Sequence, residues 1–292
     1  MKKVWRAAAA AVFLFGAGAV TGLAVPAAAS HVPAAGVTAQ AVENAEMIQA
    51  DGYGAVPAGM PAARGRLMAR RAAIVDAQRS LVEQIKGTAV DANTTMENYL
   101  ITSDVVKTKV QGMVTGARIL SEEVTSDGAY HVVMAVPMYG VGSVADAAIT
   151  AVTGGASAVP MAQPGPSYTA PAAAEGYTGL VIDAKGLPLE RTFCPGIFDT
   201  NGRAIYGVHN VDPQYAMTKG VAAYAQGAEA WAAAEGGQSR AGSRPLVIKA
   251  AALQERTKHK CDILVTPEDG DRILAENQKS HFGDRYAVVL EY

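Results

Sequence analysis

Asp183, Arg191, Asp199, His209 and Asp212 are the side chains whose types and spacing could do chemistry. An imidazole flanked by carboxylates can take a proton from water, which is the working group of a hydrolase. The same residues, with Lys185, could instead line the site of a ligand-binding protein. A plainer account competes with both. Asp183 and Lys185 can pair across a strand end. Asp199-Thr200-Asn201-Gly202 has hairpin-turn composition. Asp212-Pro213 is a helix cap followed by proline at the first helical position.

The other motifs do not supply a reaction. His31, His131, His209, His259 and His281 form neither H-E-x-x-H nor a close pair with metal spacing. Gly237-Gln238-Ser239-Arg240-Ala241-Gly242 misses the spacing of a nucleophile elbow and follows an expected helix rather than a strand. Gly52-Tyr53-Gly54 has Pro57 where the third glycine of a dinucleotide loop belongs. Asp199–Gly202 lacks the ligand series and closing Glu of a calcium loop. The sequence therefore names no catalytic residue, cofactor or metal, and favours a non-enzyme. Cys194 and Cys261 are a candidate disulfide, whose closed loop would contribute about 4 kcal/mol in the chain-entropy model. Two separately packed thiols are the alternative.

The elements that would position these residues follow from periodicity. A strand is expected over Ile48–Tyr53 and a helix over about Ala62–Lys86, burying Leu67, Ile74, Ala77, Leu81 and Ile85. Its start carries Arg64, Arg66, Arg70 and Arg71, either a solvated face or a contact for acidic lipid headgroups or cell-wall polymer. Thr88–Met96 reads as a strand, and Ser103-Asp104 as the cap of a second helix. Ala117–Thr125 and Ala129–Met138 alternate around Asp127-Gly128, a strong hairpin signal. Ser143 and Asp146 sit in capping-box positions of a short helix.

Downstream, strands are expected at Thr178–Ala184, at the hairpin flanking Asp199–Gly202, at Leu246–Ala252, at Asp262–Val265 and at Tyr286–Tyr292. A long helix starts at Pro213 and runs to about Glu235, with Ala223, Tyr224, Gly227 and Trp231 on one side. Another follows Thr266 to about Gln278. The Gly/Ala/Pro composition of 153–176 reads as a linker. The fold class is α+β: two small domains, 45–152 and 177–292, each an antiparallel or mixed sheet packed by helices.

The leader sets the compartment. Lys2, Lys3 and Arg6 precede an uncharged run, Ala7–Ala29, that ends in Ala27-Ala28-Ala29, the layout of a secretory signal peptide over 1–29. An uncleaved inner-membrane anchor is the alternative. Residues 30–44 read as a flexible leader. Cleavage removes three basic groups from the chain's 25 and none of its 27 acids, leaving 22 against 27 and a formal net charge of −5. That mildly acidic surface gives no electrostatic case for nucleic acid. The expected location is the periplasm or exterior, in association with the envelope.

Gly52-Tyr53-Gly54, the run Arg70–Gly87, Gly112, Gly116-Ala117 and Asp127-Gly128-Ala129-Tyr130-His131-Val132-Val133 resemble the LPP-twenty lipoprotein domain of bacterial envelope proteins. The resemblance covers about 45–140, and the order of elements agrees as well as the letters. Related modules occur in flagellar outer-membrane accessory proteins, including the amino-terminal domain of flagellar assembly protein T. The resemblance implies a small α+β envelope module without a known catalytic set. The chain departs from it by lacking the lipidation cysteine, which favours a soluble or peripherally held protein. The expected partners are an envelope protein or a second copy, with peripheral membrane or cell-wall contact as a further route and no nucleic acid.

Overall fold

A computed structural model of the chain describes residues 46–166, 168, 176–226 and 239–292. The expected signal peptide and leader, Gly227 and Trp231 lie outside the described residues. Helices with antiparallel, mixed and parallel sheets make an α+β fold, as expected.

The first half runs β1 (Met47–Gly54), α1 (Ala62–Gly87), α2 (Met96–Thr102), α3 (Asp104–Thr115), β2 (Arg118–Val124), β3 (Tyr130–Pro137) and α4 (Val144–Thr153). Its antiparallel sheet has the order β1-β3-β2, with Met47 opposite Pro137 and Gly54 opposite Tyr130. Gly128 takes the left-handed conformation (φ 85°) in the β2–β3 turn. Ser103 caps α3 by accepting the Val106 amide, and Ser143 caps α4 by accepting that of Asp146.

Helix α1 buries a different stripe from the one expected. Leu67 is 63% exposed and Ile74 half-buried, whereas Ala69, Ala73, Ala77, Leu81 and Ile85 are fully buried at a spacing of four. The reason lies on β1, whose inward residues are Ile48, Ala50, Gly52 and Gly54. Side-chain size falls to nothing along the strand, so the helix backbone descends onto it. A Cβ added to Gly52 would stand 2.1 Å from the Ala73 carbonyl oxygen, and one added to Gly54 1.9 Å from that of Ala69. Only alanine fits a surface that close.

Thr88–Met96 is not a strand. Ala89 and Thr95 form a single bridge, Asp91 accepts the Asn93 amide at 2.9 Å to turn the chain, and Met96 already begins α2. The Asx turn overrides the β-branched residues around it.

The second half runs β4 (Leu180–Asp183), β5 (Ile197–Asp199), β6 (Ala204–Tyr206), a 3-10 turn (Val208–Asn210), α5 (Pro213–Lys219), β7 (Ala223–Ala225), β8 (Leu246–Lys249), β9 (Ala252–Leu253), β10 (Ile263–Val265), α6 (Pro267–Ser280) and β11 (Val288–Glu291). One mixed sheet has the order β6-β5-β10-β9, and a parallel one β7-β11-β4-β8. The expected Leu246–Ala252 strand divides between them. Ala250 donates to the Asp183 carbonyl, and Ala251 to that of Leu264. The chain changes sheets between these two residues.

Asp212 caps α5 as expected, but the helix ends at Lys219, not near Glu235. Gly220 adopts φ 77°, and Ala223–Ala225 then pairs with β11 as a strand. Strand β11 is buried on both faces, as parallel strands generally are. Val288 and Leu290 join the main core, while Val289 packs with Val181 and Ala241.

Residues 44–292 form one compact unit with a continuous main core. The Gly140 amide donates to the Met217 carbonyl, Cys194 to Val90, His259 to Ala92 and Val159 to His209, all within 2.7–2.8 Å. Where described, the Ala/Gly/Pro segment lies along the second half. Met161 is buried, and the Gly165 amide donates to Asp271.

Candidate functional site

Asp183, Asp199, His209 and Asp212 have separate roles, and the structure does not gather them into a cluster. Asp183 accepts the Lys185 amide at 3.1 Å, and the Lys185 ammonium lies 3.7 Å from Asp183 and 3.1 Å from buried Glu291. This is the turn pair anticipated from the sequence. Asp199 is buried and accepts the amides of Asn201 and Arg203 and the Arg203 guanidinium, all at 2.9 Å. Arg203 reaches on to Asp271 at 2.7 Å, tying the hairpin to α6. Asp212 accepts the Tyr215 amide at 3.1 Å. His209 is exposed on the 3-10 turn. Among the described residues, no group of three or more His, Cys, Asp or Glu side chains could hold a metal ion.

His131, expected in a strand, is stacked on Tyr53 with ring centroids 4.6 Å apart. It lies 2.7 Å from Asp51 and 3.3 Å from Glu123 on the sheet surface. In the serine-containing loop, Arg240 donates to the carbonyls of Tyr286, Lys219, Gly220 and Val221. That makes it a clamp between segments.

Arg191 does line a site. A cavity of about 440 Å³ opens between the halves, walled by Glu46, Met47, Thr88 and Tyr139 on one side and Arg191, Phe193 and Tyr224 on the other. The Arg191 guanidinium lies 3.3 Å from Glu46 and 5.5 Å from the centre of the Tyr224 ring. Tyr139 and Phe193 meet edge to face at 5.9 Å. The Tyr224 hydroxyl accepts the Thr192 amide at 3.1 Å, and burial raises its pKa. Burial raises Tyr139 as well. The aromatic wall is thus uncharged and fixed, and the Arg191–Glu46 pair at its mouth is half-exposed.

A second cavity, of about 700 Å³, lies farther along the same seam. Asp91–Thr94 and Val159–Pro160 face Cys194, Phe198, Tyr206, His209 and Asp262 across it. Burial raises the Asp262 carboxyl, although the Gly196 amide at 3.0 Å works the other way. The segments 88–94 and 191–198 contribute walls to both cavities.

Glu46, Tyr139, Phe193, Tyr224, Asp91 and Asp262 were not legible as site residues. They lie far apart in sequence in no motif, and Tyr224 fell on an expected helix face. The available signal was weaker: Arg191 close to Phe193, at a position where no strand or helix is expected.

Residues 57–137 match the family model of the LPP20 lipoprotein. The amino-terminal half carries an LPP20-like domain. Residues 179–290 match the model of the second domain of Treponema pallidum Tp0624. No curated protein gives a significant match. The LPP20-like domain suggests envelope association, and no helix among the described residues is long and apolar enough to cross a membrane. The match begins at Pro57, after β1, although β1 supplies the glycines on which α1 of the LPP20-like domain rests.

Proposed function

We propose that this is an exported protein of the bacterial cell envelope that binds or scaffolds another envelope protein without transforming it. The smaller seam cavity is its contact site. The observation that carries this reading is Arg191, held at the mouth of an aromatic-walled cleft by a half-exposed ion pair with Glu46. Exposed ion pairs are worth little, about 0–1 kcal/mol, so a partner carboxylate can replace Glu46 at small cost. The aromatic wall then contributes apolar burial beside a directional charge, the usual composition of a binding hot spot. Related modules in flagellar outer-membrane accessory proteins make outer-membrane or flagellar assembly the setting to examine first.

The free edge of β2 is a poorer docking place. It is exposed throughout and carries Ile119, Leu120 and Val124, but its register breaks at Leu120 and Glu122 is held by Arg70 at 2.7 Å. A bulge and edge charges oppose strand addition.

A photo-crosslinking residue at Thr88, in exported protein in intact cells, should give a discrete adduct. The adduct should disappear with Arg191→Glu. The same residue at exposed Lys107 should give none. Equal adducts at both positions, or an adduct indifferent to Arg191→Glu, refutes the site. The second reading is a hydrolase or ligand-binding protein using His209, which lines the larger cavity together with Asp91 and Asp262. It requires His209→Ala to abolish turnover or ligand binding with the fold intact.

A further inference from the structure

Cys194 and Cys261 are buried free thiols, so the disulfide considered from the sequence is not formed. The open chemistry lies on the surface, along the outer face of α1. Arg64, Leu67, Met68, Arg71, Val75 and Arg79 recur at spacings of three and four, which places them on one side of the helix. That side is opposite the buried stripe of Gly65, Ala69, Ala73 and Ala77. Leu67, Met68 and Val75 are 63%, 41% and 46% exposed, and the three arginines are exposed with them. From Arg64 to Arg79 the stripe runs about 22 Å. Its charge is of one sign. Residues 62–79 hold five arginines and one acid, Asp76, in a chain whose 27 acids outnumber its 25 basic groups. Asp76 is turned to β1, where it accepts the Tyr53 amide at 2.9 Å. The next acid, Glu83, is held by Lys86 at 2.7 Å, and Glu122 at the margin is held by Arg70. Arg64, Arg71 and Arg79 have no ion pair among the described residues. A face made only for water ordinarily intersperses both signs and exposes few large apolar side chains.

We propose that the outer face of α1 docks the protein on an anionic phospholipid bilayer. A helix lying in the plane of a bilayer surface sinks its apolar side chains to the level of the acyl chains and keeps its cations among the headgroups. Leu67, Met68 and Val75, interleaved with Arg64, Arg71 and Arg79, fit both layers at once. A guanidinium matches a phosphate with two parallel hydrogen bonds. An acidic polymer would satisfy the arginines and leave the three apolar side chains in water, whereas a bilayer takes both. The rest of the chain, acidic in balance, is repelled by the surface that attracts α1, which orients the protein on it. The seam cleft is reached at Met47 and Thr88, past the opposite end of α1, so this docking face stands independently of it.

The test uses the exported chain carrying Leu67→Trp and vesicles of phosphatidylglycerol and phosphatidylethanolamine brominated on their acyl chains. Bromine quenches an indole that enters the acyl region. Fluorescence loss beyond that of the parent chain, which has Trp5 and Trp231, reports position 67 alone. Strong quenching is expected on these vesicles and little on brominated phosphatidylcholine. A near-surface arginine contributes about fivefold to binding, so adding Arg64→Gln and Arg71→Gln should raise the half-quenching lipid concentration about 25-fold. About 1 M salt, where the Debye length is about 3 Å, should weaken quenching in the same direction. Val141→Trp, exposed beyond the end of β3 and opposite the sheet end on which the start of α1 rests, should not be quenched. Circular dichroism checks that each variant is folded, and Met68→Trp takes the place of Leu67→Trp if that variant is not. No added quenching from position 67, equal quenching on phosphatidylcholine, or indifference to the arginine substitutions overturns the proposal. Vesicle binding without quenching, as a purely electrostatic or leader-held contact would give, overturns it equally.

Discussion

Gly52→Ala tests the closest packing in the molecule. The new methyl carbon would lie 2.1 Å from the Ala73 oxygen, 2.3 Å from the Ala77 nitrogen and 2.7 Å from the Ala77 Cβ. An ordinary carbon–oxygen approach is about 3.3 Å, so α1 and β1 must separate by about 1 Å. A gap of that size forfeits a quarter to a half of each dispersion contact it opens. The loss extends along α1, because Ala69, Ala73, Ala77, Leu81 and Ile85 rest on one sheet face. Overpacking ordinarily costs about 1–3 kcal/mol. The obstacle here is backbone, which cannot change rotamer, so the upper end, about 3 kcal/mol, is expected. Alanine's lower unfolded-state entropy returns only about 0.5–1 kcal/mol.

Urea unfolding followed by circular dichroism should show a lower midpoint with an unchanged slope. With the net loss then about 2–2.5 kcal/mol, the melting temperature should fall by roughly 4–10 °C at about 2–4 °C per kcal/mol for a unit of this size. Gly112→Ala is the control. It lies inside α3 with nothing within 4 Å of an added Cβ, and should stabilise by about 0.5–1 kcal/mol. Adding Ala77→Gly to Gly52→Ala should not rescue, because the two nearest obstacles are main-chain atoms. Rescue by Ala77→Gly, or a Gly52→Ala protein as stable as the parent, refutes the account of α1 packing.

Two further outcomes are expected. Asp199→Asn leaves the Arg203 guanidinium without its buried anionic partner, and should lower stability by about 1.5–3 kcal/mol in urea unfolding. Asp146 has a pKa below its ordinary 3.8: burial alone would raise it, but Lys109 at 2.7 Å, the Gly142 amide and Thr150 outweigh burial. A depressed carboxylate contributes stability that is fully present above pH 3.8 and is lost as pH falls through its lower folded value. Acid titration of Asp146→Asn should therefore show a shallower loss below pH 4 than the parent.

Local chemistry was readable wherever it was self-contained. Ser103, Ser143, Asp212 and Thr266 cap the expected helices, and Asp127-Gly128 and Asp199–Gly202 turn the expected hairpins. Misreadings occurred where distant partners decide the outcome. Leu67 has helical spacing with Leu81, but Gly52 and Gly54 across the interface select alanine for the buried stripe. Ala223 and Tyr224 follow a helical pattern, but β11 offers them a strand partner. The site showed the same division. Asp183, Asp199 and Asp212 proved to be the turn and cap residues their local sequence implied. Arg191 alone of that set faces the cleft, through contacts with Glu46 and Tyr224 that no local spacing encodes.

The seam is a property of how two modules are joined. The two family matches cover 57–137 and 179–290 and leave out both β1 and the segment between them. Glu46, Met47, Met138 and Tyr139 of the smaller cavity come from those uncovered stretches, as do Val152, Val159, Pro160 and Ala162 of the larger one. The opposing walls, Arg191–Phe193 and Cys194–Phe198, belong to the matched second half. Either module alone would present one wall of each cavity to solvent. The connecting segment supplies part of the second wall, beside Glu46, Met47 and residues 88–94, and hydrogen-bonds across through Gly140–Met217 and Val159–His209. The seam cavities therefore depend on both modules being held in this one arrangement.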